Sequence, residues 1–160
     1  MISERLQNAI NEQIAAEMWS SNLYLSMSFF LQKEGYEGCA NWLLKQSQEE
    51  LSHAYDMAAY VLKRGGVAKV DKIDVVPQEW ESVQAVFDNV FSHECRVSKL
   101  IEGLVKIASE ERDMASQDFL WGYVREQVEE EATAQGIAEK VRKADKAALL
   151  YIDDKLGQRK

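Results

Sequence analysis

Gln48-Glu49-Glu50-Leu51-Ser52-His53 lies midway along a segment, Cys39 to Arg64, that carries apolar or small residues at helical spacing and stops at Gly65-Gly66. On a helix, Glu50 and His53 share one face about a turn apart, so both can aim a ligating atom at one point. Glu17 stands 33 positions before Glu50, alone in another apolar stretch. Glu94 precedes Gln127 by the same 33 positions, and Gln127 opens a second i, i+3 pair, with Glu130.

Working outward, the breaks in the chain fix the elements. Proline occurs once, at Pro77, and the 8 glycines fall mostly between periodic segments, which leaves room for long helices. Ser3 to Lys33 ends before Gly35 and pairs with Cys39 to Arg64. Ser82 to Ser109 pairs with Asp113 to Lys143 through a tight turn, with Asp113 as N-cap. Between Gly66 and Ser82 the periodicity fails around Val67, Val70, Ile73, Val75 and Val76. A connection this long is expected where the chain crosses the length of a bundle. Asp145 to Leu156 forms a short fifth helix closed by Gly157, and its Leu149-Leu150-Tyr151-Ile152 run is apolar on too many sides for a solvated tail. The expected fold is all-α: one domain over residues 1–160, a four-helix bundle of two hairpins, one long crossover and a C-terminal helix.

Steps of seven along these helices trace the faces turned inward. Ile10, Glu17, Tyr24 and Leu31 form one seam, Leu43, Glu50 and Met57 a second, and Phe87, Glu94, Ile101 and Ala108 a third. Tyr123, Glu130 and Ile137 are read as the fourth, with Leu120, Gln127 and Ala134 beside it. Four carboxylates, one amide and one imidazole thereby replace core residues at matching depth, and no Lys or Arg occupies these steps. Burying one ionised carboxylate without a partner costs several kcal/mol, on the scale of a domain's whole stability. The bland alternative is four surface helices with their charged faces placed inward by mistake, an error that would have to recur on each helix. Protonation would neutralise some of the carboxylates, but a pair of divalent or trivalent cations would compensate several at once, with His53 as a neutral nitrogen ligand. Oxygen donors with one imidazole suit iron or manganese, and zinc also fits. Tyr24 shares the face of Glu17, where it either bonds or reduces the site, or is a core tyrosine with its hydroxyl satisfied.

Composition narrows the class. A net charge of −8 at pH 7 opposes binding to a phosphate backbone, so no nucleic-acid partner is expected. There is no apolar run of membrane-spanning length, and Met1-Ile2-Ser3-Glu4-Arg5 does not begin a secretory signal, so no membrane partner and a cytoplasmic location are expected. Cys39 and Cys95 lack any CxxC or zinc-type spacing and read as two free thiols.

Over nearly its whole length the chain resembles the bacterial non-haem ferritins. The residues that carry the resemblance are Asn11-Glu12-Gln13 leading to Glu17, Tyr24, Gln48-Glu49-Glu50 with His53, Glu94, and the run Trp121-Gly122-Tyr123-Val124-Arg125-Glu126-Gln127-Val128-Glu129-Glu130-Glu131. The resemblance implies a ferritin-like bundle of the di-iron plan. It implies one iron held by Glu17, Glu50 and His53 and a second among Glu50, Glu94 and Glu130, with Gln127 nearby. An adjacent third iron site would use Glu49, Glu126, Glu129 and Glu130. The implied activity is oxidation of Fe(II) by oxygen or hydrogen peroxide and storage of hydrated ferric oxide in a cage of 24 identical subunits. Bacterioferritins, by contrast, carry Glu-x-x-His where this chain has Gln127 to Glu130, and a haem-ligating methionine where Leu51 stands, so no haem is expected. Rubrerythrin-like peroxidases add a CxxC iron module that is missing here. Gln117 and Leu120 fall where animal ferritins have an acidic channel. His93, one position off the third seam, is expected at the surface or just behind the ligands. Two other classes remain open at this point: a di-iron oxidase or peroxidase that stores nothing, and a structural bundle with acidic faces.

Overall fold

Side-chain caps set where the helices begin in the computed structural model, which describes all residues from Met1 to Lys160. Ser3 accepts from the Leu6 amide ahead of α1 (Glu4–Lys33), and Ser82 accepts from the Ala85 amide ahead of α3 (Val83–Glu110). Asp113 does the same for α4 (Met114–Lys143) and Asp145 for α5 (Lys146–Leu156). These oxygens satisfy amides that a helix leaves unpaired in its first turn. Only α2 (Glu37–Lys63) starts without a side-chain cap. It also starts two residues earlier than the sequence spacing predicts, and it takes Gly38 inside the helix, for a reason that lies in α5. Gly35 (φ 90°) and Gly65 (φ 78°) end α1 and α2 in the left-handed region, where a side chain is disfavoured.

The helices pack as two hairpins, α1 on α2 and α3 on α4, and α5 lies across the end of the bundle against α2 and α4. Residues 64–82 run between the hairpins without regular structure. Asn11 pins the start of this crossover by donating to the Val67 carbonyl and accepting from the Lys69 amide, each at 2.8 Å. Farther along, Val76 and Trp80 pack on the core, and the Trp80 indole donates to Asn89 at 2.9 Å.

The core divides into two apolar clusters. One joins Leu23, Tyr24, Met27 and Leu31 of α1 to Leu43, Phe87, Val90 and Ile137, and the other joins Leu6, Ile10 and Ile14 to Met57, Val61, Ile101 and Leu120. On every one of the four long helices the chain leaves one cluster and enters the other across the same short stretch: Glu17, Gln46 to His53, His93 to Glu94, and Gln127. The bundle is therefore apolar at both ends with a polar layer held between them.

At the α3–α4 turn, Asp113 both caps α4 and receives Arg64 on its two oxygens at 3.1 Å each. Burial alone would raise the Asp113 carboxyl, but bonds from Arg64 and Ser116 outweigh it and hold the group below its ordinary value. The stabilisation is thus complete above the unfolded-state value near 4 and fades as pH falls through the depressed folded value. Asp113→Ala is expected to cost about 1 kcal/mol at neutral pH. Its urea midpoint should converge on that of the wild type in strong acid, and a gap independent of pH would contradict this account.

Candidate metal centre

Glu17 from α1, Glu50 and His53 from α2, Glu94 from α3 and Gln127 from α4 are all buried in the polar layer. Each has an identifiable holder. The Gln13 amide donates to Glu17 Oε1 at 2.9 Å, and the Gln46 amide donates to Glu130 Oε2 at 2.9 Å and to Glu50 Oε1 at 3.4 Å. Gln127 donates to Glu94 Oε2 at 3.1 Å and to the Glu94 carbonyl at 3.2 Å, and the Tyr24 hydroxyl donates to Glu94 Oε1 at 2.5 Å. Amides thus fix one oxygen each of Glu17 and Glu50 and leave the other free to converge, while both oxygens of Glu94 are engaged, one by the phenol and one by Gln127.

Those inner oxygens are the exception in the molecule. Oε2 of Glu17 and Oε2 of Glu50 are the two buried side-chain polar atoms without a hydrogen-bond partner. His53 Nδ1 stands 3.8 Å from the first and 3.4 Å from the second. Ligand atoms of Glu17, Glu50 and His53 lie within 4.8 Å of one another. Leaving a buried carboxylate oxygen unpaired is costly, and three donors converging on one point are the arrangement that a cation satisfies.

The proton balance reads the same way. Burial and the neighbouring Glu17 and Glu94 push Glu50 well above the usual carboxylate range, against His53, which pulls it down. Burial would lower His53, but Glu126, Glu17 and Glu50 outweigh it and hold the imidazole well above its ordinary value. Glu17 goes down despite burial, because His53, Glu50 and Gln13 face it. Without metal, protons on Glu50 and His53 therefore supply the positive charge that a divalent cation would bring, and binding a cation there would release them.

A second group adjoins the first. Glu49, His53 and Glu126 bring ligand atoms within 4.8 Å, and His53 Nε2 lies 2.9 Å from Glu126 Oε1. The imidazole therefore faces the inner site with one nitrogen and Glu126 with the other, the orientation by which a carboxylate commonly steers a ligating histidine. Glu130 is half-buried, and burial together with the Glu49 and Glu94 charges pushes its carboxyl up to about 7. Glu129 is exposed, and its side chain forms no hydrogen bond or ion pair within the chain. A surface depression of about 410 Å³, lined by Glu49, Ser52, His53, Asp56, Tyr123 and Glu126, gives solvent access to this side of His53. Its carboxylates favour an approaching cation.

One expectation needs correction. In α4 the inward line is Leu120, Gln127 and Ala134, while Glu130 and Tyr123 sit at the margin. The heptad steps had the two lines the other way round, because both are mixed in polarity. Leu120 is fully buried in the core, so it lines no channel. Of the two placements open to His93, the one behind the ligands holds: it is buried beside Trp19 and Tyr24, bonds Ser20 Oγ at 2.7 Å, and is lowered to about 4 chiefly by burial. The holders Gln13 and Gln46 went unread, although each precedes a ligand glutamate by four residues, a same-face spacing.

A family model of the ferritin-like domain matches residues 7–144. The chain belongs to the ferritin family. It is 66% identical over 159 residues to a bacterial non-heme ferritin of Bacteroides fragilis (strain 638R), covering 99% of this chain and 100% of that protein. It is 34% identical to a probable bacterial non-heme ferritin-like protein of Haemophilus influenzae, across 98% of this chain and 96% of the other. Among solved structures, an open pore ferritin from the hyperthermophilic archaeon Archaeoglobus fulgidus superposes with a TM-score of 0.98 at 46% identity, each chain covered in full. Ferritin membership agrees with the all-helical bundle and its short C-terminal helix. No helix of this ferritin is long and apolar enough to cross a membrane.

Proposed function

We propose that this ferritin oxidises Fe(II) at a two-iron centre inside each bundle and stores the product as hydrated ferric oxide within a 24-subunit cage in the cytoplasm. The unpartnered oxygens of Glu17 and Glu50, facing His53 in a layer closed by apolar clusters, carry this reading. Fe(II) is the substrate. Glu17, Glu50 and His53 hold one ion, while Glu50, Glu94 and Glu130 surround the other with Gln127 nearby. Two Fe(II) supply two electrons, enough to reduce O2 to peroxide or peroxide to water, with two protons consumed in either case. Glu49, Glu126, Glu129 and Glu130 form the acidic margin where a third ion rests.

The test is anaerobic Fe(II) titration of the chelator-treated protein with size-exclusion chromatography, followed by oxidant. Two or three tight ions per chain, a particle near 24 × 18.3 kDa, or about 439 kDa, and uptake of many further ions are expected. A small oligomer that never retains more than its few tight ions would identify an oxidase that stores nothing. No stoichiometric binding at all would leave a structural bundle.

Tyr24 acts on this centre through Glu94. The Tyr24→Phe variant removes the hydroxyl that Glu94 Oε1 accepts from, and outer partners of metal sites commonly contribute 10–100-fold. Stopped-flow oxidation about tenfold slower, with particle size unchanged, is expected. Wild-type rates would reduce Tyr24 to a packing role.

A further inference from the structure

Beyond α5 the chain turns back along α2. Asn41 holds the returning backbone by donating to the Arg159 carbonyl at 3.1 Å. The Arg159 guanidinium lies over the Trp42 ring, 4.7 Å from its centroid, and one nitrogen donates to the Trp42 carbonyl at 3.1 Å and to Gln46 Oε1 at 2.9 Å. Its other terminal nitrogen donates to Glu49 Oε2 at 3.0 Å. With its oxygen committed to Arg159, Gln46 turns its amide nitrogen toward Glu50 and Glu130. One guanidinium thus meets the acidic margin directly at Glu49 and, through Gln46, reaches the inner ligands.

We propose that Arg159 is a built-in counter-cation that competes at Glu49 with the third metal ion, holding that ion loosely so that it passes on instead of remaining. This rests on the reading of the Glu49, Glu126, Glu129 and Glu130 margin as the third-ion position. A guanidinium carries a permanent charge, so an arriving cation must either share Glu49 with it or displace it. The planar fork, seated on an indole and directed at a carboxylate and an amide oxygen, is preorganised for this position. Arg159 is a positioning residue: it touches Glu49 and Gln46, which touch the ions.

The test is Zn(II) calorimetry on chelator-treated, assembled protein, with zinc as a cation that binds oxygen and nitrogen donors without oxidation. Wild type, Arg159→Gln and Arg159→Lys are compared. Removing a unit charge several ångströms from a divalent ion should tighten the third Zn(II) about tenfold in Arg159→Gln. Arg159→Lys, which keeps the charge without the fork, should tighten it less than Arg159→Gln does, and the gap should narrow at high ionic strength. Particle size confirms that the variants are assembled. Three ions bound with unchanged third-ion affinity in Arg159→Gln would overturn the inference alone. Equal tightening in Arg159→Lys would overturn it by assigning the effect to lost packing. Two ions in every variant would overturn it together with the third-ion position, while leaving the two-iron centre standing.

Discussion

Glu50→Ala combined with His53→Ala is expected to slow Fe(II) oxidation by at least about 100-fold. Loss of even an outer partner of a metal site costs about 10–100-fold, and this variant removes two direct donors. Particle size should match the wild type, because both apolar clusters and all the side-chain caps lie outside the substitution. Wild-type oxidation in the double variant would show that the centre is misassigned. The single variant Glu50→Gln separates binding from stability. In the metal-free protein Glu50 is held toward its protonated form, and an amide of the same shape can donate to the unpartnered oxygen of Glu17. A gain of about 1 kcal/mol is expected, which for a chain of this size raises the melting temperature by roughly 2–4 °C. Saturating Zn(II) should reverse the order, since a cation that binds only the native state adds stability in proportion to its affinity. A wild type that is more stable than Glu50→Gln without any metal would mean that the cluster is satisfied by itself.

That reversal is the physical reason the site was legible at all. Charged residues at heptad steps contradict the burial pattern around them, and the contradiction recurs at Glu17, Glu50 and Glu94, each of which lies in the layer between the two clusters. Helix limits were legible from the glycine breaks and, for α4, from Asp113 as N-cap; Ser3, Ser82 and Asp145, at the other expected starts, prove to cap their helices as well. In α4 the pattern weakened. Gln127 and Glu130 are both polar, and periodicity could not rank which turned inward, since that depends on how α4 rotates against α3. The Gln13 and Gln46 holders carried a readable i, i+4 signal. Arg159 carried none, because its contacts with Gln46 and Glu49 span more than 100 residues and exist only after α5 docks.

That docking depends on Gly38, whose role no local pattern reveals. A Cβ at position 38 would overlap the Asp153 carbonyl oxygen, so α5 can lie this close to α2 only because residue 38 has no side chain. The seat is specific: Asp153 is buried and accepts from the Cys39 amide at 2.8 Å, while Leu149, Ile152 and Leu156 pack on the core. Since the obstacle is backbone on both sides, Gly38→Ala cannot be absorbed by a side-chain rotation, and α5 must shift as a unit. Overpacking of this kind typically costs about 1–3 kcal/mol. The Cys39 thiol gives a second reading. Burial first, and then Asp153, push it well up from its ordinary value, so it should be inert to thiol reagents while α5 is seated. In a Cys95→Ser background, Gly38→Ala is expected to lower the melting temperature by several degrees and make Cys39 reactive. Arg159, just beyond the C-terminus of α5, should lose its grip on Glu49, and the third Zn(II) should tighten as it does in Arg159→Gln. An unreactive Cys39 with an unchanged melt would mean that α5 tolerates the added methyl and that its close seat on Gly38 is incidental.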